Sequence, residues 1–419
     1  LLARLTAMKA LLPAGADTTQ YGGFATAFFM LGAATGGIVF GILGDRWGRA
    51  KTLFTTVICY SLFTGLSAMS LTWIDFSAYR FLTGMGVGGT FAAAVSLVSE
   101  TLPARSRPNA LAALQATGAV GNMLAAIVTM FVQPGLSIGG VAGWRIIFVI
   151  GIAPSLLVLL VMRKLREPDA WTQARLQRAA NPAQHLGSVN ELFGDPRWRR
   201  NALVGMALGM AGIMGLWGVS FWLPELIKAS LKGSVGENQL GLYVSYGMLL
   251  FNFAAAVGTY LFGLMMGWIG RKPTFALGFV AAIASIICVF GFMTTAQQVW
   301  WMAPLLGFCT LSILGGYSVY FPELFPLRLR ATGVGFCYNT ARYISAVAPF
   351  AIGMLTASLK APESTERGAA GLSNLTLLSS LGGADNAIRY AAIIVAAVYL
   401  IGLVALPFAT ETRGKPLPE

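Results

Sequence analysis

Charged residues are scarce in this chain: Asp, Glu, Lys and Arg make up only 11% of its 419 residues. A soluble domain carries about 25% charged residues, so the composition excludes an ordinary soluble protein. Hydrophobic residues reach 56%, and apolar runs such as 201–224 and 387–409 are long enough to cross a hydrocarbon core of roughly 30 Å. The sequence therefore predicts an all-α polytopic membrane protein.

Side-chain patterns typical of catalysis, metal binding or proton relay are scarce as well. The single histidine, His185, lies in a polar central stretch, which excludes a histidine proton relay within the membrane. The four cysteines stand in apolar segments without metal-ligand spacing, so we expect neither a disulfide framework nor a metal site. The sequence contains no phosphate-binding Gly-Lys loop and no nucleophile–base arrangement. We expect no cofactor, and neither an enzyme nor an ATP-driven pump.

Two short motifs occur twice, in the same order. The segment 41–49, Gly-Ile-Leu-Gly-Asp-Arg-Trp-Gly-Arg, returns at 263–271, an offset of 222 residues (263 − 41). The segment 100–107, Glu-Thr-Leu-Pro-Ala-Arg-Ser-Arg, returns at 323–330, an offset of 223 residues (323 − 100). Two motifs repeated at nearly one offset indicate two homologous halves. Duplicated membrane-embedded halves are typical of transporters.

Apolar segments between polar breaks predict eleven complete spans. They are 21–43, 51–70, 76–99, 109–132, 145–162, 201–223, 241–266, 274–295, 299–321, 331–357 and 387–409. We read the start of the chain as the end of a further, truncated first helix and an external loop, which gives six helices per half. The predicted domains are an N-terminal bundle over 1–162, a cytoplasmic linker over 163–200, and a C-terminal bundle with a cytoplasmic tail over 201–419.

The distribution of basic residues predicts the orientation. The net charge is +13, and 19 of the 29 Lys and Arg lie in the loops with the repeated motifs, the linker and the tail, against six in the opposite loops. This is the positive-inside pattern. We therefore expect a plasma (inner) membrane protein with both termini cytoplasmic. A nucleic acid partner is not expected, and we expect a monomer.

The first motif resembles the signature of the major facilitator superfamily. So does Arg80-Phe-Leu-Thr-Gly-Met-Gly on the predicted span 76–99. The Glu-x-x-Pro-x-x-x-Arg pairs are similar to its sugar-porter and organic-acid-symporter branches. The resemblance implies two pseudo-symmetric six-helix bundles around a cavity that opens alternately to either side. It also implies a cytoplasmic latch between the bundles, formed by Asp45, Arg46, Arg49, Glu100, Arg107, Glu323 and Arg330. The alternative is that these charges only set the orientation.

The repeated motif makes physical sense as a latch in its first copy. Asp45 stands at the cytoplasmic end of its predicted helix, and the span beginning near Ala331 presents its N-terminus on the same side. A carboxylate near a helix N-terminus gains about 0.3–1 kcal/mol. In the second copy Gly267 and Trp268 replace the Asp-Arg pair. We therefore expect the two halves to lock unequally.

Arg342 is the strongest candidate for a substrate-binding residue. It follows Arg330 by twelve residues, which places it about 18 Å into its span. Tyr338 and Asn339 lie one turn nearer the cytoplasm, so that a cation, a hydroxyl and an amide share apolar surroundings. Arginine favours bidentate recognition of carboxylates. The cluster is interpreted as a clamp for an organic anion; the alternative is a structural pair with a carboxylate elsewhere.

Other polar and aromatic residues are candidates to line the same cavity. Sugar porters similarly place a glutamine at the spacing of Gln115 from Arg107, where it contacts substrate. The remaining candidates are Asn252, Tyr246, Trp217 and Trp222. For each of them, helix packing or an interfacial position is an equal alternative. The Gln-Gln motif that sugar porters carry on the seventh span is absent here, which disfavours a hexose.

Arg80 matches an arginine that in this family often pairs with an aspartate of the first helix in proton symport. An alternative is a side chain that reaches the outer membrane surface. None of the sixteen Asp and Glu lies at mid-depth of a predicted span. We predict a secondary active transporter for a small organic anion, such as a carboxylate or sugar acid, with a proton as co-substrate. The alternatives are a neutral sugar or polyol carrier or facilitator, and a substrate sensor without transport.

Overall fold

The computed structural model of the chain describes residues 4–13, 18–132, 137–153, 155–156, 165–180, 186–219, 222–346 and 386–418. Its helices, in chain order, are α1 (Arg4–Leu11), α2 (Thr18–Trp47), α3 (Arg49–Leu66), α4 (Trp73–Thr101), α5 (Arg107–Val132), α6 (Gly143–Ile150), α7 (Asp169–Ala180), α8 (Val189–Gly194), α9 (Pro196–Gly218), α10 (Leu223–Leu231), α11 (Glu237–Ile269), α12 (Arg271–Phe292), α13 (Ala296–Glu323), α14 (Arg330–Ser345), α15 (Asn386–Ala396) and α16 (Val398–Ala405). Two strands of two residues each, β1 (Ser137–Ile138) and β2 (Val141–Ala142), form an antiparallel hairpin.

Within these residues, nine helical stretches are long and apolar enough to cross a membrane, and they coincide with nine of the eleven predicted spans. The other two predicted spans, 145–162 and 331–357, continue into residues outside the described ones. Their described beginnings are α6 and α14. The prediction of an all-α membrane protein is confirmed.

The helix that corresponds to the predicted span 201–223 begins a few residues earlier. The spanning helix α9 starts at Pro196, because Asp195 caps it by accepting a hydrogen bond from the Arg197 N–H at 2.7 Å. Proline suits the first turn, since its missing N–H would have no helical partner there. The two short helices α7 and α8 lie in the segment between the halves.

Single glycines connect consecutive spans at the repeated motif. Gly48 separates α2 from α3 with φ 117°, and Gly270 separates α11 from α12 with φ 102°. Residues with a side chain rarely adopt this backbone conformation, so glycine permits an immediate reversal of the chain. The turns place the repeated charges at one end of the helices. We call this the motif end.

The two halves pack through equivalent helices. Helix α2 contacts α14 of the second half, and its counterpart α11 contacts α5 of the first half. The repeated glycines allow both approaches: a Cβ at Gly41 would lie 2.7 Å from the Ala331 carbonyl oxygen, and one at Gly263 would lie 2.1 Å from the Ala112 Cβ. This pairing is the pseudo-symmetric arrangement that the repeats predict.

Contact between the halves is concentrated towards the motif end. There the Ser318 hydroxyl of α13 donates to the Leu111 carbonyl of α5 at 3.1 Å. Farther along α5, from Thr117 onwards, exposed residues occur on all faces of the helix. A Cβ at Gly118 or Gly121 would meet none of the described atoms within 4 Å. The structure is therefore closed between the halves at the motif end.

Candidate functional site

Asp45 joins the two halves at the motif end. It lies near the end of α2, and its side chain is fully buried. Its carboxylate accepts hydrogen bonds from the backbone N–H groups of Ala331 at 3.2 Å and Thr332 at 2.8 Å, and from the Thr332 hydroxyl at 2.6 Å. These N–H groups belong to the first turn of α14, where a helix supplies no partner of its own. A carboxylate of one half thus caps a helix of the other half.

Three more charged residues complete a buried network with Asp45, which we call the charge latch. Arg49 of α3 lies 3.0 Å from Asp45 Oδ1, and its guanidinium donates to both oxygens of Glu100 on α4, each with a shortest distance of 2.9 Å. Arg330, the first residue of α14, donates to Glu100 Oε1 at 3.3 Å. Their side chains are at most 3% exposed. The charge latch therefore spans both halves.

The charge latch is neutral and closely surrounded by backbone acceptors. Its two carboxylates balance its two guanidiniums. Arg49 also donates to the carbonyls of Gly44 and Leu327, each at 2.8 Å, and Arg330 donates to the Pro322 carbonyl at 3.2 Å. Buried ion pairs overcome their desolvation only when the remaining donors and acceptors are satisfied in this way. Parting the halves would separate Asp45 from the N–H groups of α14 and Arg49 from the Leu327 carbonyl.

The second copy of the motif forms its ion pair within one half. Arg271 Nη2 lies 2.6 Å from Glu323 Oε1. This ion pair is the counterpart of the Arg49–Glu100 pair in the first half. Glu323 also accepts from the Thr412 hydroxyl at 2.5 Å, and Arg107 of the first half forms no ion pair with it. A Cβ at Gly267 would meet none of the described atoms within 4 Å. The structure thus leaves Arg107 and Glu323 outside the charge latch, although the sequence groups them with it.

The central segment covers the charge latch. The Trp171 indole of α7 donates to the Asp45 backbone carbonyl at 2.8 Å, and the Gly187 N–H donates to the Arg328 carbonyl at 2.8 Å. Arg46, which the sequence assigned to the latch, donates to the Leu186 carbonyl at 3.4 Å. Arg46 therefore belongs to this cover and not to the buried network.

The sequence reasoning missed two glutamates that cap helices, one helix in each half. Glu167 accepts from the N–H groups of Ala50 and Lys51 at the start of α3, both at 3.1 Å. Glu411 accepts from the N–H groups of Arg271 and Lys272 at the start of α12, both at 3.0 Å. Burial raises the pKa of Glu411, but backbone N–H donors and the nearby guanidinium outweigh it and hold the pKa below its usual value.

Arginines occupy the opposite ends of the same two helices. Arg145 donates to the carbonyls of Ala68 and Ser70 after α3, the second at 3.0 Å. Arg389 donates to the carbonyls of Phe290 at 2.9 Å and Met293 at 2.5 Å at the end of α12. Both these arginines (389 − 145) and the capping glutamates (411 − 167) are 244 residues apart. This common offset was the sequence signal that could have identified all four residues.

Arg342 lies at the junction of the halves with the partners that its spacing predicts. Its Nη1 donates to Asn339 Oδ1 at 3.0 Å, and its guanidinium lies 4.9 Å from the centre of the Tyr338 ring. Tyr338 in turn stacks on Phe91 of the first half, with ring centres 3.8 Å apart. Arg342 is half-buried and forms no ion pair with any carboxylate of the described residues.

The remaining candidates for substrate binding are dispersed. Gln115 is half-buried on α5. Asn252 donates to the Met248 carbonyl of its own helix at 2.8 Å. Tyr246 packs on Trp300 with ring centres 5.8 Å apart, near the end of the bundle opposite the motifs. Half-buried Trp217 and Trp222 pack against the core of the second half.

Arg80 is half-buried, and its guanidinium packs among side chains of the first half. Its Nη2 donates to the Thr83 hydroxyl at 3.0 Å, and its Nε is buried without a hydrogen-bond partner among the described residues. Three phenylalanine rings surround the guanidinium at 5.0–5.9 Å: Phe29, Phe76 and Phe148. The described carboxylates include no ion-pair partner for Arg80.

Comparison with known families decides the class of the protein. The family model of the Major Facilitator Superfamily matches residues 6–349. The chain belongs to this superfamily. It is therefore a membrane transporter and not an enzyme, as the sequence predicts.

Relatives with named substrates support the same assignment. The chain is 28% identical to the cis,cis-muconate transport protein of Acinetobacter baylyi, over 81% of this chain and 79% of the relative. It is 29% identical to the niacin transporter NiaP of the same species, over 82% and 81%. A solved structure of the proton:xylose symporter XylE, bound to 6-bromo-6-deoxy-D-glucose, has a TM-score of 0.73 at 18% identity, with 99% of this chain and 93% of that chain covered. The predicted major facilitator fold is confirmed.

Proposed function

We propose that this superfamily member carries a small organic anion, a carboxylate or sugar acid, by alternating access and in symport with a proton. The observation that carries the proposal is the position of Arg342. Its guanidinium is half-buried at the junction of the halves and has no carboxylate partner among the described residues. Because a charge at membrane depth is costly without a counter-charge, an anionic substrate would complete the site.

The contacts of Arg342 connect substrate binding with closure. The guanidinium lies against Tyr338, and Tyr338 stacks on Phe91 across the two halves. One hydrogen bond, to Asn339, fixes one side of the guanidinium and leaves other N–H groups for a carboxylate. A substrate held there would rest on an aromatic pair that exists only while the halves are together.

The names of the relatives agree with an anionic substrate. Muconate and niacin are carboxylic acids, and the two Acinetobacter proteins named for them resemble this chain over about four fifths of its length. Arginine recognises such groups through paired hydrogen bonds.

The orientation is part of the proposal. The motif end carries the basic loops, so we place it in the cytoplasm. The closed charge latch then corresponds to a state that opens away from the cytoplasm. Opening inwards would break the contacts of Asp45 with α14 and of Glu100 with Arg330.

Proton coupling is proposed from Arg80. Its guanidinium is enclosed by aromatic rings, and its Nε has no partner among the described residues. A carboxylate that approached it would be stabilised in its charged form, and would take up a proton when it moved away. Uptake by proteoliposomes should therefore follow an imposed inward proton gradient. Uptake that ignores the gradient would favour a facilitator or an exchanger.

The substrate class can be tested with Arg342→Gln and Arg342→Lys in proteoliposomes, using a panel of aromatic and aliphatic carboxylates, sugar acids and neutral sugars. Loss of a charge-assisted hydrogen bond costs about 1.5–3 kcal/mol, so the glutamine variant should bind a carboxylate substrate about 10- to 150-fold more weakly. The lysine variant should recover part of this loss. Lys228→Gln, an exposed residue far from the motif end, is the control.

The outcomes separate the alternatives. A neutral sugar or polyol carrier would keep its affinity in Arg342→Gln, because no charge pair is lost. A sensor would bind a ligand, detected as a thermal shift, without moving it into the vesicles. Either result would contradict the proposed anion transporter.

A further inference from the structure

A second basic site lies at the motif end, on the outer surface of the first half. It is a pocket of about 470 Å³, which we call the basic pocket. Its lining comes from the end of α2, the start of α3 and the surface helix α7: Arg46, Trp47, Lys51, Phe54, Thr55 and Arg175. Three cations and two aromatic rings therefore face one small volume.

The cations of the basic pocket have no ion-pair partner in the part of the chain that the structure describes. The nearby carboxylates are engaged elsewhere: Asp45 lies in the charge latch, and Glu167 caps α3 through the N–H groups of Ala50 and Lys51. Like charges gathered on one side of a membrane protein attract an anion.

The repeat within the chain shows that the fold does not require this charge. At an offset of 222 residues, Arg46 corresponds to Trp268 and Lys51 to Pro273, while Arg49 corresponds to Arg271. Both halves keep the ion pair between this last arginine and a glutamate: Arg49 with Glu100, and Arg271 with Glu323. Two of the three cations, Arg46 and Lys51, therefore have no basic counterpart at the equivalent positions of the second half.

The position of the basic pocket identifies the kind of anion. It lies at the turn between two spanning helices, which is the level of a membrane surface. Trp47 is 52% exposed beside it, and an exposed tryptophan next to Lys and Arg is typical of the headgroup region. Clustered Lys and Arg immediately beside a spanning helix attract anionic lipids.

We propose that the basic pocket binds the headgroup of an anionic phospholipid. Lys51 and Arg175 would hold the phosphate from α3 and α7, and the rings of Trp47 and Phe54 would lie beside the glycerol and the first part of the acyl chains. The headgroup would bridge α7 to the first half, where Trp171 of α7 already donates to the Asp45 carbonyl. The lipid would thereby hold the cover over the charge latch.

Native mass spectrometry of the purified full chain in neutral detergent tests the proposal. The probes are dioleoyl phosphatidylglycerol, dioleoyl phosphatidylcholine and soluble glycerol phosphate, each added at the same concentration. We expect one tightly retained phosphatidylglycerol and little phosphatidylcholine. Each Lys or Arg near a membrane surface contributes about a fivefold gain for anionic lipid, so Lys51→Gln combined with Arg175→Gln should weaken phosphatidylglycerol binding about 25-fold.

The matched control removes two exposed cations from the opposite end, Lys228→Gln combined with Lys232→Gln, and should keep the phosphatidylglycerol adduct. A thermal shift with each lipid confirms that both variants are folded and reports binding a second time. Equal retention of the two lipids, or equal loss in the test and control variants, would overturn the proposal. A glycerol phosphate adduct as strong as the lipid adduct would also overturn it, because the basic pocket would then recognise a soluble phosphate ester and not a lipid.

Discussion

Replacing Asp45 by asparagine should open the charge latch while preserving the shape of the side chain. The carboxylate has four neighbours to satisfy: two N–H groups and a hydroxyl of α14, and the guanidinium of Arg49. An amide keeps one acceptor oxygen and turns an N–H₂ group towards donors. Arg49 retains Glu100, so the loss falls mainly on the contact between the halves.

The size of the effect follows from these contacts. A buried carboxylate at a helix N-terminus contributes up to about 2 kcal/mol, and a charge-assisted hydrogen bond about 1.5–3 kcal/mol. Since some of the hydrogen bonding survives in Asp45→Asn, we expect a net loss of about 2–4 kcal/mol for the latched state. That shifts the balance between latched and open states roughly 30- to 700-fold. Initial uptake should fall strongly.

Hydrogen exchange gives the direct assay, because the amide has one acceptor oxygen where the carboxylate has two, so at least one of the N–H groups of Ala331 and Thr332 loses its acceptor. Exchange in peptides covering the start of α14 should rise in Asp45→Asn, while peptides around Arg271 should be unchanged. Gly267→Asp, at the equivalent position of the second half, is the control; a side chain there meets none of the described atoms. Unchanged exchange at α14, or equal loss of initial uptake in both variants at matched surface expression, would refute the reasoning.

Three further predictions concern packing and helix ends. Gly37→Ala would place a Cβ 2.0 Å from Asn339 Cγ of the other half. The latched state should therefore be less stable by about 1–3 kcal/mol, and uptake should fall. Glu411→Gln should lower the thermal stability by about 1 kcal/mol at pH 7, a figure reduced for the partial exposure of the carboxylate. Because the folded pKa of Glu411 lies below 4.5, this stabilisation is present above pH 4.5 and is lost as the pH falls through the folded value. Arg389→Gln removes hydrogen bonds to two buried carbonyls and should lower the stability by about 2–3 kcal/mol in thermal unfolding.

Each of these predictions has a control or an outcome that would contradict it. Gly118→Ala lies on an exposed face and should leave uptake unchanged; equal damage there would contradict the packing argument. A stability difference between Glu411→Gln and the native chain that persists unchanged far below pH 4.5 would show that the carboxylate charge is not its cause. Lys228→Gln, an exposed change on α10 close to Ser230, which accepts a hydrogen bond from Arg389, should be neutral, and a comparable loss would refute the role given to Arg389.

The contacts of the charge latch illustrate how far the sequence reasoning reached. Their common level in the membrane predicts that Asp45 lies close to the helix that starts near Ala331, and the structure brings the two together. Level alone could not distinguish Arg330, which reaches Glu100, from Arg107, which forms no ion pair with Glu323. The spacing along one helix predicts neighbours on that helix, whereas contacts between helices depend on rotation and crossing angle.

By itself, the sequence determined the class of molecule. Long apolar runs fixed spanning helices, because every backbone group in lipid must find its partner within a helix. The repeat fixed two related halves, and the spacing of three and four residues placed Tyr338 and Asn339 beside Arg342. These are local or periodic properties, and they can be read along one chain.

The tertiary structure decided which distant groups meet. Glu167 and Glu411 each cap a helix more than a hundred residues away, and Arg46 turns to the covering segment instead of the buried network. Packing also gathered the cations of the basic pocket from three helices. A short-range interaction between charges depends on their separation in space, and that separation is set only when the helices pack against one another.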